Sequence, residues 1–388
     1  MPLSVKKPIY SLPAYSLTGD LLSFLRCGLQ YRYQRLGSLP SSRPVQLWFG
    51  EFIHGVMEEA FLRYRDQVAA GQPPAWPWPK ATVEAICDLV KTRLKARGLE
   101  AWAPNIRQLG YERAEAAVQD LGPHLFPIVA EAEVRLTGSR PIPAIPTALQ
   151  FRRADRYEMV GVVDVVTNVK LVDPTVATNP IVKLIQASLP AGLPAEFEVI
   201  VDYKGVRRPP ANSPRSKLWQ QYAWQIQTYA SLRAAQPGSK PVVAGALLYV
   251  NEIRPTRTDC YLLRREVRSN QTDVVPVPGG EDDLELRRRW SKGQAPQFSH
   301  EFRLARALRV VHVDPPAVAT AQVAFDGVVR DIETCRGTEA HGATILASWN
   351  CNSTEQATCV VCDQRTYCPG YKSTYAAQFG SVPTLPTR

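Results

Sequence analysis

The chain has 388 residues, of which 45% are hydrophobic and 21% charged, the composition of a globular protein with a sizeable core. It contains no run of about 18 apolar residues and no apolar leader before a cleavage site, so we expect a cytoplasmic protein without a membrane span. The net charge of +10 favours a polyanionic partner without identifying it. Eight cysteines are too few for a disulfide scaffold in a chain of this length, and clustered cysteines in a reducing compartment typically bind metal.

Hydrophobic periodicity predicts helices and strands in alternation along the chain. The predicted helices, which share a spacing of three to four residues between apolar side chains, cover residues 45–70, 81–97, 106–131, 217–235 (with Ser216 as N-cap) and 317–335. The predicted strands, which are rich in Val and Ile, cover residues 133–136, 157–169, 197–203, 242–250 and 261–267. This order predicts an α/β (α+β) fold in which helices flank a central mixed sheet.

An acid and a lysine end one of the predicted strands. The strand over 197–203 leads into Asp202 and Lys204, which share one face because they are two residues apart. A carboxylate can hold a divalent cation there, and an ammonium group can steady the attacking water or the charge that builds on a phosphate. Gln225 and Tyr229 lie one turn apart on the next predicted helix, a pattern that an ordinary core helix would also show.

Two further polar positions lie upstream. Asp164 interrupts a run of valines in the strand over 157–169, and a carboxylate among valines is costly to bury unless it is paired or bound to metal. His54 lies on a predicted helix, where it shares a face with Glu51 and Glu58. A solvent-facing acid and a solvated histidine are the structural alternatives for these positions.

The order of these residues resembles the PD-(D/E)XK nuclease superfamily, and specifically its RecB-like branch. That family carries a helical His, a Gly-x-x-Asp strand, an Asp/Glu-x-Lys strand and a Gln-x-x-x-Tyr helix, matched here by His54, Gly161 with Asp164, Asp202 with Lys204, and Gln225 with Tyr229. The resemblance implies a restriction-endonuclease-like sheet and an Mg²⁺ or Mn²⁺ ion held by His54, Asp164 and Asp202. It also offers the carbonyl of Tyr203 as a further ligand. Lys204 would act at the attacking water, with Gln225 and Tyr229 supporting the site or the DNA.

The cysteines near the C-terminus form a second candidate site. Cys359, Cys362 and Cys368 follow a C-x2-C-x5-C-P pattern, and thiolates so closely spaced need a soft metal to offset their repulsion. A zinc site completed by Cys351 is one possibility, and unbonded thiols are another. Iron–sulfur members of the branch place one cysteine before the nuclease core, where this chain has Cys27. The resemblance therefore implies a [4Fe–4S] cluster on Cys27, Cys359, Cys362 and Cys368 that joins the two termini.

These motifs predict four segments along the chain. They are an N-terminal segment with the first cluster cysteine (1–43), a nuclease core with a helical insertion at about 73–131 (44–253), an accessory region of unassigned fold (254–350) and a cluster-binding segment (351–388). Gly28 follows Cys27 where the family usually has Pro. Glu131 and Glu133 precede the sheet, and we expect both to be structural. Cys87, Cys260 and, less clearly, Cys335 are expected to be ordinary cysteines.

The resemblance implies a metal-dependent DNA nuclease, an exonuclease or flap-type enzyme on single-stranded ends, in recombination, repair, CRISPR adaptation or a mobile-element pathway. The sequence has no Gly-x4-Gly-Lys-Ser/Thr loop, so unwinding would come from a helicase partner, and an integrase-type partner is also implied. The candidate DNA contacts are Arg207, Arg208, Arg215 and Lys217, with Trp219 and Tyr222 as stacking surfaces and 287–289 as an extension. Alternatives are a catalytically silent or redox-responsive nucleic-acid-binding subunit and a zinc-stabilised structural protein.

Overall fold

The computed structural model describes residues 12–37, 47–149, 151–211, 216–290, 294, 296–351, 356–366 and 368–371. The strands, in chain order, are β1 (Ala14–Ser16), β2 (Val129–Pro141), β3 (Arg156–Thr167), β4 (Val169–Lys170), β5 (Glu196–Lys204), β6 (Val242–Tyr249) and β7 (Leu308–His312). The helices, in chain order, are α1 (Leu22–Arg26), α2 (Gly28–Tyr31), α3 (Leu47–Ala69), α4 (Lys80–Ala96), α5 (Pro104–Leu125), α6 (Pro174–Ala177), α7 (Pro180–Ala187), α8 (Ser216–Ala234), α9 (Val250–Ile253), α10 (Arg257–Arg268), α11 (Glu281–Arg287), α12 (His300–Ala307), α13 (Pro315–Ala340), α14 (Ile345–Ser348) and α15 (Gln356–Val360).

Within the described ranges, the strands form a seven-stranded mixed sheet in the order β1-β3-β5-β6-β7, with β2 paired to β3 and β4 to β5. Strand β5 runs parallel to β6 and antiparallel to β3. Its residues from Phe197 to Tyr203 are buried on both faces of the sheet, which explains the mostly apolar run in the sequence. A mixed sheet with accompanying helices confirms the predicted fold class and agrees with a restriction-endonuclease-like fold.

The chain divides into two compact units. Unit 1 consists of Met1–Arg43, Thr137–Gly161 and Ala319–Arg388, and unit 2 consists of Pro44–Leu136 and Val162–Val318. The divisions fall inside β2, β3 and α13, so these elements contribute residues to both units. The four-segment organisation drawn from the motifs stays a prediction. In the part of the chain that the structure describes, no helix combines the length and apolarity needed to cross a bilayer.

Helix α3 packs the core of unit 2. Its buried side chains recur every three to four residues, as at Trp48, Phe52 and Val56, and Trp48 stacks on Phe52 with ring centroids 4.7 Å apart. Burying each such side chain contributes roughly 1.5–3 kcal/mol. A Cβ on Gly205, directly after β5, would lie 3.3 Å from the Cα of Gly50 on α3. The absence of side chains at these two glycines lets α3 lie against the end of β5.

Helix α13 contributes two paired acids, Glu333 and Asp326, to unit 1. The Glu333 carboxylate, which is 2% exposed, accepts hydrogen bonds from the hydroxyl of Tyr15 and the guanidinium of Arg153. Two turns earlier in α13, Asp326 accepts hydrogen bonds from Arg140 Nε at 2.9 Å and from the Tyr157 hydroxyl at 2.5 Å. Each acid therefore has a cationic partner, which for the buried Glu333 offsets the cost of removing it from water.

Two secondary-structure predictions were wrong. The expected strand over 261–267 is part of α10, because the side chain of Thr256 accepts from the backbone of Asp259 while Asp259 bonds back to Thr256, a capping box that starts a helix. The helix expected over 106–131 ends at Leu125, and the chain then forms a short 3₁₀ turn before β2. The side chain of Ser216, the expected N-cap, lies outside the described residues.

Candidate functional site

Strand β5 carries a buried acid–lysine pair at its end. Asp202 is 5% exposed, and its Oδ2 lies 2.5 Å from Lys204 Nζ. The register that pairs Val165 with Val201 places Asp164 beside Asp202 at the next antiparallel position. Burial and the negative charge of Asp164 raise the pKa of Asp202 to about 6, although Lys204 opposes this shift. The pair therefore lies where a second positive charge is electrostatically favoured.

His54 and Asp164 both contact the backbone of Tyr203, between the acid and the lysine. His54 Nε2 donates to the Tyr203 carbonyl at 2.9 Å, and the Tyr203 N–H donates to Asp164 Oδ2 at 2.7 Å. His54 Nδ1 lies 3.3 Å from Asp164 Oδ1. These contacts fix α3, β3 and β5 around one peptide unit. The Tyr203 carbonyl, offered as a metal ligand by the sequence, is engaged by His54 in this structure.

The charges of His54 and Asp164 stabilise each other. Burial disfavours the imidazolium form of His54, but the Asp164 carboxylate outweighs that effect and raises the pKa of His54 to about 9. Burial likewise disfavours the Asp164 carboxylate, but His54 outweighs it and lowers the pKa of Asp164. Asp164 is therefore ionised at neutral pH, as a cation ligand must be.

Helix α8 holds Lys204 through two of its side chains. Lys204 Nζ donates to Gln225 Oε1 at 3.2 Å, and Gln225 Nε2 donates to the Tyr229 hydroxyl at 3.2 Å. The ammonium also lies 4.3 Å from the ring centroid of Tyr222, a cation–π distance. The residues matched to the family's last two motifs thus form one continuous set of contacts from Asp202 to Tyr229.

Glu133, which the sequence analysis set aside as structural, belongs to this site. Ligand atoms of His54, Glu133 and Asp164 all lie within 4.8 Å of one another. Glu133 has a left-handed backbone with φ of 51°, which is uncommon for a residue other than glycine. Loss of solvent around its carboxyl group, with the charge of Asp164, raises the pKa of Glu133 to about 7. The available signal was a carboxylate in the strand preceding the Gly-x-x-Asp strand.

The donor set suits a divalent cation. Two carboxylates and an imidazole can be ligands for Mg²⁺ or Mn²⁺, and His54 would have to give up a proton to serve as one. Asp202 adds a further acid beside Asp164, since the charge of Asp164 acts on it. Among the described residues, carboxylates outnumber cations around this point, which favours a bound metal ion.

The basic residues after β5 are held by acids of unit 2. Arg207 pairs with Glu266 at 2.8 Å. The Arg208 guanidinium is 3% exposed, pairs with Asp273 at 2.5 Å and donates to backbone carbonyls. Arg215 and the side chain of Lys217 lie outside the described residues. Contact of Arg207 and Arg208 with nucleic acid stays a prediction. Nucleic acid would have to compete with these acids for the two guanidinium groups.

The aromatic residues of α8, Trp219 and Tyr222, already have cationic partners within unit 2. Trp219 is 8% exposed, donates from Nε1 to the Pro210 carbonyl at 3.2 Å and lies 3.4 Å from the guanidinium carbon of Arg309. The ring of Tyr222 is in contact with the Lys204 ammonium, 4.3 Å from its centroid. Their predicted stacking on unpaired bases is therefore limited by existing contacts, more for Trp219 than for Tyr222.

Unit 1 gathers the predicted cluster cysteines. Burial and the charges of Cys368 and Cys27 raise the pKa of the Cys359 thiol. Burial and the same two neighbours also raise the pKa of the Cys362 thiol. Burial and the charges of Cys368 and Cys27 raise the pKa of the Cys351 thiol as well. The thiols of the predicted iron–sulfur site and of the zinc alternative therefore influence one another electrostatically. The choice between the two sets stays open.

The backbone near Cys27 explains how this grouping arises. The N–H of Leu29, on α2, donates to the carbonyl of Asn350 at 2.9 Å, which brings Cys27 near Cys351. Cys27 Sγ accepts from Gln30 N–H at 3.5 Å and so caps α2. A Cβ on Gly28 would lie 3.2 Å from the Asn350 carbonyl oxygen, so a glycine fits here with least strain.

Comparison with known proteins gives one family. A sequence model of the PD-(D/E)XK nuclease superfamily matches residues 19–173. The matched stretch includes His54, Glu133 and Asp164 and ends before Asp202 and Lys204. A search of curated proteins finds no match.

Proposed function

We propose that this chain is a metal-dependent nuclease that hydrolyses phosphodiester bonds of DNA. The observation that carries the proposal is the convergence of His54, Asp164, Asp202 and Lys204 around the Tyr203 peptide unit, from three separate elements. The match to a nuclease superfamily over 19–173 supports it independently of that geometry. Phosphoester hydrolysis is a reaction that acidic cation sites with a nearby lysine serve well.

His54, Glu133, Asp164 and Asp202 would hold the cation. When bound, Mg²⁺ or Mn²⁺ would polarise a phosphate oxygen and lower the pKa of an attacking water. The fit rests on ligand atoms of His54, Glu133 and Asp164, which already lie within 4.8 Å of one another. A cation would also stabilise the ionised form of Asp202. The raised pKa of this acid reflects the cost of its buried negative charge, which Lys204 only partly offsets.

Lys204 supplies a fixed positive charge to the scissile phosphate. Its ammonium is oriented by Asp202 Oδ2 at 2.5 Å and by Gln225 Oε1 at 3.2 Å, so it does not need to reorganise when charge develops. Tyr229 acts one step further out, since its hydroxyl accepts from Gln225 Nε2 and keeps the carbonyl oxygen of that amide turned toward Lys204. Gln225 and Tyr229 are therefore positioning residues.

The finer assignment is an exonuclease or flap-type enzyme that acts on single-stranded DNA ends, with a [4Fe–4S] cluster on Cys27, Cys359, Cys362 and Cys368. The mutual influence of these thiols supports a metal or cluster there. A helicase or integrase-type partner belongs to the same proposal, as the sequence carries no phosphate loop of its own. The four-segment organisation also remains part of it.

The test compares end-labelled single-stranded and duplex DNA in Mg²⁺ or Mn²⁺ with wild type, Asp202→Asn and Lys204→Ala. Both variants should lose at least about 100-fold in cleavage rate, because each removes a charge that acts in the transition state. Asp66→Asn, on an exposed acid of α3, is the matched control and should cleave like wild type. Wild-type cleavage rates in either site variant would overturn the proposal.

A further inference from the structure

Helix α10 in unit 2 separates its charges between two faces. Both of its acids face inward, where Asp259 Oδ2 accepts from Arg113 Nη2 at 2.8 Å and Glu266 Oε2 accepts from Arg207 Nη2 at 2.8 Å. The negative charge of the helix is therefore neutralised by arginines outside it. What remains on the outward face is positive.

The outward arginines form a stripe along the helix. Arg257, Tyr261, Arg265 and Arg268 are all exposed, and their spacing of three or four residues puts them on one side. Arg265 and Arg268 make no ion pair with any acid among the described residues. The stripe extends about 16 Å at the helical rise per residue, a length that covers several successive phosphates of a nucleic-acid strand.

The end of α11 extends this stripe. Arg264 donates through Nε to the Leu286 carbonyl at 2.8 Å and through Nη2 to the Arg288 carbonyl at 2.6 Å. Because these partners are carbonyl groups, the Arg264 charge is not cancelled. The contacts hold the exposed Arg288 and Arg289 beside α10, although Arg288 lies 3.5 Å from Glu285. We call Arg257, Tyr261, Arg264, Arg265, Arg268, Arg288 and Arg289 the basic face.

An aromatic side chain lies inside the basic face. Tyr261 is 39% exposed, and the guanidinium carbons of Arg257 and Arg264 lie 5.6 Å and 5.5 Å from its ring centroid. Its ring packs edgewise on Trp290, which is buried and supports it. Arginines interleaved with an exposed aromatic ring are typical of surfaces that bind unpaired strands, where phosphates meet the cations and a base stacks.

We propose that the basic face binds the phosphate backbone of an unpaired nucleic-acid strand. The inference rests on the proposed function in treating this strand as part of the nuclease substrate, and it gives a function to the accessory region after Arg254. Glu266 links the face to Arg207, three residues beyond Lys204 in the chain. A strand docked here would be held by unit 2, the unit that carries the candidate catalytic centre.

The test measures binding in EDTA, where a metal-dependent nuclease does not cut. Fluorescence anisotropy of a labelled oligothymidylate of about 20 nucleotides is recorded against salt for wild type and the double variant R265E/R268E. We expect the dissociation constant to rise at least about tenfold and the salt slope to fall by about 1.4, from about 0.7 per lost phosphate contact on a single strand. The matched control R65E/R107E makes the same charge change at exposed arginines of α3 and α5 and should bind like wild type.

Unchanged binding in R265E/R268E, or an equal loss in R65E/R107E, would overturn the inference, since either means that no specific basic face exists. Tyr261→Ala should weaken single-strand binding and leave a duplex of the same length unaffected. Tighter binding of the duplex than of the oligothymidylate by wild type would overturn the assignment to an unpaired strand. Binding that depends on the basic face in a protein that never cleaves DNA would support this inference and refute the nuclease, so the two proposals fail separately.

Discussion

The candidate catalytic centre in unit 2 and the cysteine group in unit 1 differ in how their ionisable groups affect one another. In unit 2, each central carboxylate meets a cation of the same chain, as Asp164 meets His54 and Asp202 meets Lys204. In unit 1, the thiols act on one another, and Cys368 raises the pKa of both Cys351 and Cys359. The first group is stabilised by its own charges, whereas the second gains most from an added metal.

This difference teaches how a ligand would affect each unit. A centre already fixed by hydrogen bonds gains chemistry from a metal ion, and its fold does not depend on one. Thiols whose ionised forms would repel one another gain folding stability when a metal binds, because the bonds to the metal stabilise the thiolates. Removing the divalent cation should therefore abolish activity in unit 2, whereas loss of the proposed metal or cluster from the cysteines should destabilise unit 1.

The largest effect should come from the cysteines. If the proposed [4Fe–4S] cluster is present, Cys27→Ala should remove the visible absorbance near ~400 nm and the bound iron and sulfide of anaerobically purified protein, because it deletes a proposed cluster ligand. Cys351→Ser is the matched control and should retain both. A colourless protein that holds zinc and is indifferent to Cys27 but sensitive to Cys351 would refute the iron–sulfur assignment and favour the zinc set.

The next largest effect should come from Glu133→Gln, which should weaken the affinity of the site for its metal ion. The concentration of Mn²⁺ for half-maximal cleavage should rise about 10–100-fold, since one carboxylate ligand of the cation is lost. Saturating Mn²⁺ should restore most of the rate. Glu131→Gln, on the same strand at an acid paired with Arg233, is the control; if it behaves like Glu133→Gln, the effect belongs to the strand's charge and not to a ligand.

Gln225→Ala tests whether the hydrogen bonds of unit 2 matter once a metal is present. We expect kcat to fall about tenfold with little change in KM, because Lys204 loses the partner that orients its ammonium. Gln221→Ala, at an exposed position of the same helix, should have no effect. A rise in KM alone would show that Gln225 contributes to substrate binding and not to positioning.

Tyr229→Phe should have the smallest effect. It removes the hydroxyl that accepts from Gln225 Nε2, and a single hydrogen bond of net worth about 1 kcal/mol corresponds to a rate loss of about three- to tenfold. The double variant with Gln225→Ala should be no slower than Gln225→Ala alone, since both act through the same amide. Additive losses would indicate a second route from Tyr229 to the site.

The sequence predicted the elements whose signals are local. Helix α3 and strand β5 lie within a few residues of their predicted bounds, because their apolar spacing is set by burial on one side or both. Helix α10 was predicted as a strand over 261–267, although Thr256 and Asp259 form a capping box that starts a helix. Glu133 was missed because its role depends on strand pairing and on a left-handed backbone, neither of which leaves a pattern in the sequence.

The charges of the loop after β5 show the same limit. The sequence predicts that Arg207 and Arg208 lie in a basic turn open to a phosphate backbone. In the structure they pair with Glu266 and Asp273, more than fifty residues away in the chain. Conversely, the arginines of α10 read as part of a strand and emerge as a helical surface. Net charge could be counted from the sequence, but its distribution over surfaces required the fold.

The left-handed backbone of Glu133 has a consequence for protein engineering. A residue other than glycine held at a positive φ costs of order 1 kcal/mol, so Glu133→Gly should make the protein more heat-resistant while deleting a proposed cation ligand. A laboratory screen for thermostability alone would then favour an inactive enzyme at this position. Directed evolution of this chain should therefore select for stability and turnover together.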